Sequence, residues 1–138
     1  MHSLFTACTA NTINTQYQHI AHEFAKVYYD KMSNGVNTAF ELFDKNVFCT
    51  IDCDEFKGSY NWLLLMTQAG ISKFEYCNIS GIAQPLVNYE ILVAVQGKFR
   101  GISLWGHQIS DWVYFNETFV LEKNNDNYSI KNYILKMH

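Results

Sequence analysis

Several residue groups in this 138-residue chain have types and spacings that could support chemistry. Asp52, Asp54 and Glu55 form an acidic cluster around Cys53. A carboxylate working as a general base needs an apolar cavity and an opposing hydroxyl or acid. Tyr76, Tyr114 and His107 are candidates for that opposite partner of Asp52. The competing reading, a solvated hairpin turn, is favoured because carboxylates cluster in such turns far more often than in cavities. His19 and His22 lie three apart on a helical stretch, followed by Glu23. That spacing can hold a metal, but the order differs from His-Glu-x-x-His, and surface or packing histidines are the favoured reading. No phosphate-cradling glycine loop or dinucleotide fingerprint occurs, and residues 97–106 match neither. The expectation is therefore no catalytic residue, no metal and no cofactor.

The cysteines are Cys8, Cys49, Cys53 and Cys77. On an extended segment, Cys49 and Cys53 would sit roughly 13 Å apart, too far for a disulfide. No Cys-x-x-Cys pair is present, so all four read as free thiols in a reducing compartment. The first residues lack the basic start and apolar core of a secretion signal, and no apolar run reaches a membrane span. The expectation is a cytoplasmic and nuclear protein that is neither secreted nor membrane-bound. A net charge of -3 argues against nucleic acid, whose phosphates need a basic surface.

Elements that must position these residues follow from periodicity. Thr15, with Gln18 three residues on, reads as a capping box opening a helix. Tyr17, Ile20, Ala21, Phe24, Val27, Tyr28 and Met32 form its apolar stripe, and Asn34-Gly35 ends it. A short helical segment through Val36, Ala39, Phe40 and Phe43 follows, broken by Asp44-Lys45-Asn46. Residues 47–53 read as a strand, Asp54-Glu55 as a turn and Phe56-Lys57 as a returning strand. Gly58 turns the chain, and Ser59 caps a helix carrying Trp62 to Met66. Strands are then expected over 73–83, 88–99, 111–123 and 128–136. The last two form a hairpin around Asn124-Asn125-Asp126-Asn127.

Helices gathered before a run of antiparallel strands predict an α+β class, with helices packed on a strongly bent sheet. Residues 1–14 read as an N-terminal extension and 15–138 as a single domain. The strands are apolar in both alternating registers. Tyr89, Ile91, Val93 and Val95 oppose Leu92 and Ala94; Trp112, Tyr114 and Val120 oppose Val113, Phe115, Phe119 and Leu121. A sheet apolar on both faces needs cover on both, which predicts a homodimer with Tyr89, Ile91, Val93, Trp112 and Tyr114 at its interface. Leu104-Trp105 in a glycine-flanked loop is the leading partner-binding candidate, since Trp is a favoured interface anchor. The alternative folds Trp105 back as a lid over the open end of the sheet.

At this point the order of elements and several local words converge. Phe24-Ala25-Lys26-Val27-Tyr28-Tyr29-Asp30-Lys31-Met32 resembles the first-helix signature of the nuclear transport factor 2 family. Phe56-Lys57-Gly58 resembles that family's Phe-x-Gly lead-in to its third helix. Phe115 to Leu121 resembles its Phe-x-Gln-x-Phe-x-Leu strand, and Asn132 falls where its last strand carries Asn. The resemblance spans about residues 15–137. It implies a cone-shaped NTF2-like fold that dimerises through its sheet and binds Phe-rich, nucleoporin-type peptides or transport factors. It also implies an alternative, because relatives include isomerases and dehydratases that use the cone cavity. The family's Trp-Glu pair, which serves nucleoporin and Ran binding, falls here on Ile51 and Asp52, so these two join Leu104 and Trp105 as partner-binding candidates. The acid is kept and the aromatic is not. The family's acidic loop corresponds to residues 100–111, which hold no acid before Asp111. That weighs against Ran-type GTPase binding of the usual kind.

Overall fold

The computed structural model describes residues 15–138. Cys8 and the expected extension over 1–14 lie outside the described residues. The chain begins with α1, Tyr17–Asn34. Its inner stripe buries Ala21, Tyr28 and Met32, with Tyr17, Ile20 and Phe24 partly covered. Val27, expected in that stripe, is exposed. The expected capping box is not made: Gln16 occupies the N-cap and no side chain bonds there. At the other end, the Gly35 N–H donates to Lys31 O and Asn34 Nδ2 to Asp30 O, which satisfies carbonyls the last turn leaves open.

The turn α2, Val36–Ala39, and a 3₁₀ turn, Phe40–Leu42, lead into β1, Phe43–Ile51. Asp44-Lys45-Asn46 therefore lies within a strand, where a break was expected. The Asn46 N–H donates to Asp44 Oδ2, and the register of β1 shifts between Phe43 and Phe48. The local polar bond takes the place of a ladder bond and makes a bulge. β2, Asp54–Lys57, returns antiparallel to β1. Gly58 follows at φ +104, a conformation other residues avoid, and turns the chain into α3, Ser59–Gln68. Ser59, expected as the cap, is instead the first helical residue and is buried.

The remaining strands are β3, Lys73–Pro85; β4, Ile91–Ile102; β5, Val113–Asn124; and β6, Asn127–Met137. The β5–β6 hairpin turns where expected, with Asn125 at φ +58. All six strands form one sheet, in the order β2-β1-β6-β5-β4-β3. β1 pairs parallel to β6, so the early hairpin is annexed to the late meander. The sheet is strongly curved and unclosed, and the helices lie in its concavity.

An aromatic interior fills the space between helices and sheet. Phe43 stacks on Trp62 with centroids 4.4 Å apart, and Phe99 on Phe115 at 4.6 Å. Trp62 is fully buried, yet its indole N–H has no partner among the described residues. Trp62→Ala should lower stability by about 3–5 kcal/mol through the cavity it leaves. Trp62→Phe should cost much less, because it keeps a stacking ring and removes an unpartnered donor. Urea unfolding midpoints of the two variants check this ranking.

Candidate functional site

The cone interior holds a carboxyl that the residue pattern did not single out as functional. Glu117 lies on β5 between Phe115 and Phe119, in the inward register, and is 1% exposed. Tyr29 donates to its Oε1 at 2.8 Å, and Tyr28 to its Oε2 at 3.1 Å. Tyr133 from β6 donates to the same Oε2. Tyr76 of β3 is also close enough to feel its charge, and its buried hydroxyl has no partner among the described residues. Burial pushes the Glu117 carboxyl above its ordinary value, while the three tyrosine hydroxyls pull it back. Burial and the Glu117 charge together raise Tyr28, Tyr29, Tyr76 and Tyr133, so all four keep their protons.

This is the arrangement sought for Asp52, built around a different acid. Asp52 itself is exposed in the β1–β2 turn at φ +53. Its Oδ1 accepts the Met137 N–H at 2.9 Å. Tyr76 lies on β3, at the opposite edge of the sheet, and His107 is exposed in the β4–β5 loop. No apolar cavity surrounds Asp52, so it is not the cone's acid. The signal for Glu117 was present in Phe-Asn-Glu-Thr-Phe: an acid flanked two residues either side by Phe must share their buried face.

Two of the expected interface residues change place. Ile91 and Val93 are 0% and 4% exposed, paired with Leu121 and Phe119 on the inward face. They belong to the inward face, not to the outer sheet face where a dimer partner would sit. Tyr89 sits in a 3₁₀ turn before β4, at φ +62, with Lys123 over its ring. Trp112 and Tyr114 lie on the outer side, with Arg100 and Lys98 over their rings at 4.4 Å and 4.9 Å. Ile51 is buried in the inward register, so of the Ile51–Asp52 pair only Asp52 reaches the surface.

Leu104 and Trp105 are 76% and 81% exposed. Trp105 therefore projects outward and forms no lid. Its loop is held: Ser103 N–H donates to His107 O, Gly106 N–H to Ser103 O, and Ile109 N–H to Gly101 O. Arg100 fixes the base by bonds to Glu75 at 2.7 Å and Gln108 at 3.0 Å.

The outer sheet face carries an apolar-rich band interrupted by polar side chains. Cross-strand pairing aligns Thr50, Ile134, Thr118, Ala94 and Ile82 in one row. The neighbouring row runs Phe48, Asn132, Val120, Leu92 and Gln84. Phe48, Ile134 and Ile82 are exposed. On the helix side, a cleft of about 980 Å³ between α1 and the β5–β6 turn is lined by Ile20, Phe24, Val27, Leu42, Tyr89 and Tyr128, among others.

His19, His22 and Glu23 are exposed on α1, and among the described residues no group of His, Cys, Asp and Glu is placed to hold a metal. No helix among them is long and apolar enough to cross a membrane.

No family model matches the sequence, and no curated protein matches it. Solved structures do. Nuclear transport factor 2 from Cryptosporidium parvum superposes with a TM-score of 0.73 at 20% identity, over 91% of this chain and 98% of its own. A chain of the C. albicans Mtr2–Mex67 M domain complex gives 0.70 at 10% identity, over 88% and 94%. A putative dehydratase of the NTF2-like family from Streptomyces avermitilis gives 0.66 at 12% identity, over 87% and 94%. The chain has the NTF2-like fold. That fold carries transport factors and enzymes alike, so it does not by itself assign an activity.

Two chemical outcomes follow. Because the Glu117 carboxyl is raised in the folded state, that state holds its proton more tightly than the unfolded chain. Its contribution to stability is full below the ordinary value, about pH 4.3, and is lost as pH rises through the raised folded value. Glu117→Gln should flatten stability across that window, read as the difference between wild-type and variant denaturation midpoints from pH 4 to pH 8. Burial pushes the Cys49 thiol up to about 12, so a thiol reagent should label exposed Cys53 promptly and reach Cys49 only on unfolding.

Proposed function

We propose that this chain is a dimeric protein-binding domain of the nuclear transport factor 2 type, acting between cytoplasm and nucleus on Phe-rich, nucleoporin-type peptides or transport factors. The observation that carries the reading is the exposed apolar band on the outer sheet face. A row containing Ile134 and Ile82 beside one containing Phe48 is left exposed among the described residues. Burying such a band stabilises an isologous dimer by removing apolar area from water. The cleft lined by Phe24, Tyr89 and Tyr128 offers a ring-sized apolar surface for a Phe side chain. The held Leu104–Trp105 tip adds a preorganised anchor for a larger partner. With no acid in its loop before Asp111, a Ran-type GTPase is not part of this proposal. The Mtr2–Mex67 complex is itself a pair of proteins, which supports partner binding as a use of the fold.

A second reading, a small isomerase or dehydratase working in the cone, is supported by Glu117 and its tyrosines. The rings of Phe99, Phe115 and Phe119 crowd the same interior.

Sedimentation velocity tests the dimer. Wild type should sediment as a dimer, and Ile134→Glu or Phe48→Glu should raise its dissociation constant about 100-fold or more by burying an unpaired carboxylate. A monomeric wild type at high concentration would sink the dimer. Titration with a Phe-x-Phe-Gly peptide, followed by chemical-shift changes at α1, tests the partner. Saturable binding should vanish with a Phe-to-Ser control peptide, and binding that survives the control would refute the Phe-specific reading.

A further inference from the structure

A second cleft, on the other flank of α1, has a different chemistry. Gln18, His22 and Lys26 recur every four residues and so stand in line along one rim. Ala21 and Ala25 lie beside them on the cleft wall. The opposite wall comes from β3 just past its bulge, where Asn78 takes φ +56 and the register to β4 shifts between Cys77 and Ser80. Gly81 lies on that wall, and Val93 and Val95 of β4 line the cleft with the Tyr29 ring. Ala21, Ala25, Ser80, Gly81 and Ala83, with Ile79 and Ile82 beside them, leave about 660 Å³, within the range of small-molecule sites.

The charges in this cleft are one-sided. No Asp or Glu lines it. The Tyr29 hydroxyl is committed to Glu117. Among the described residues, Lys26 and His22 form no ion pair or hydrogen bond. The wall chemistry thus favours hydrocarbon, and the rim favours an anion. An anionic head at this exposed rim would gain a charge-assisted contact with Lys26 that a neutral or cationic head would not. A single full positive charge matches a monoanion better than a phosphate dianion.

We infer that the cleft between α1 and the β3–β4 edge binds a small amphipathic carboxylate, its apolar body against Ala21, Ala25, Val93 and Val95 and its carboxylate at Lys26 and His22. The site lies apart from the Trp105 tip and meets the outer sheet band at one residue, Ile82, so its ligand is tested at Lys26, which lies outside that band.

Octanoate is the probe and octan-1-ol its neutral control. Calorimetric titration of the full chain should show saturable octanoate binding, with amide shifts at Ser80, Gly81, Ala83 and residues 21–26. Octan-1-ol should bind far more weakly. Lys26→Ala, at an exposed position, should weaken octanoate about tenfold, the scale of one charge-assisted contact. Ala25→Trp should block binding while leaving the thermal midpoint of a folded protein intact. Equal binding of octan-1-ol, unchanged affinity in Lys26→Ala, or shifts that map elsewhere would overturn the assignment. So would an acidic peptide that saturates these residues where octanoate does not.

Discussion

One buried carboxyl couples the first helix to the last strands. Glu117 takes donors from two neighbouring positions of α1, Tyr28 and Tyr29, and from Tyr133 of β6. An isolated carboxyl in such an interior is costly, and each donor offsets part of that cost. The cost returns if any donor moves away, so the network fixes the roll of α1 about its axis as well as its distance from the sheet. Apolar packing alone is less exacting, because rings tolerate small slides and hydrogen bonds do not. Tyr28 also meets Phe119 at 4.8 Å and Tyr29 meets Tyr76 at 4.9 Å, so the polar lock sits inside a cage of rings. The rest of the interior is organised around it.

That lock also separates the two sides of the sheet. Inward positions of β4 and β5 are committed to the helices and the acid. Outward positions are covered by no other element among the described residues. The result is a domain with a closed interior and an open back. The surfaces proposed to work are the outer band, the held loop tip, and the two clefts that flank α1. Those clefts differ in kind: one is lined by large rings and a mixture of charges, the other by small and aliphatic residues with one lysine and no acid.

Much of this was legible from the residues. The α1 stripe, Gly58, the meander and the Asn-rich hairpin follow from local period and turn chemistry. What local pattern could not supply is long-range pairing and slips in register. Parallel pairing of β1 with β6 joins segments about eighty residues apart and leaves no mark on either. Bulges between Cys77 and Ser80, and between Val120 and Leu121, shift the alternation that a strict period of two would assign. The interface set mixed two faces because a turn was read as strand at Tyr89, and because Ile91 and Val93 point inward while Trp112 and Tyr114 do not. Asp52 attracted notice by its acidic neighbours, whereas the acid that matters to the core had none and was marked by its phenylalanines.

The parallel seam between β1 and β6 has a consequence for how the chain is made. β1 and β2 are synthesised early, but the strand that seats them is the last to appear. Tyr133, one of the three donors to Glu117, arrives on the same strand. Until then the early hairpin has an unpaired edge and the acid lacks a donor, the kind of species that associates wrongly when it lingers. During translation the domain is thus held in suspense: helices and meander can gather as they emerge, but the native state becomes available only when residues 127–137 leave the ribosome. Premature chain ends within that stretch would strand a nearly whole domain on the wrong side of its folding transition.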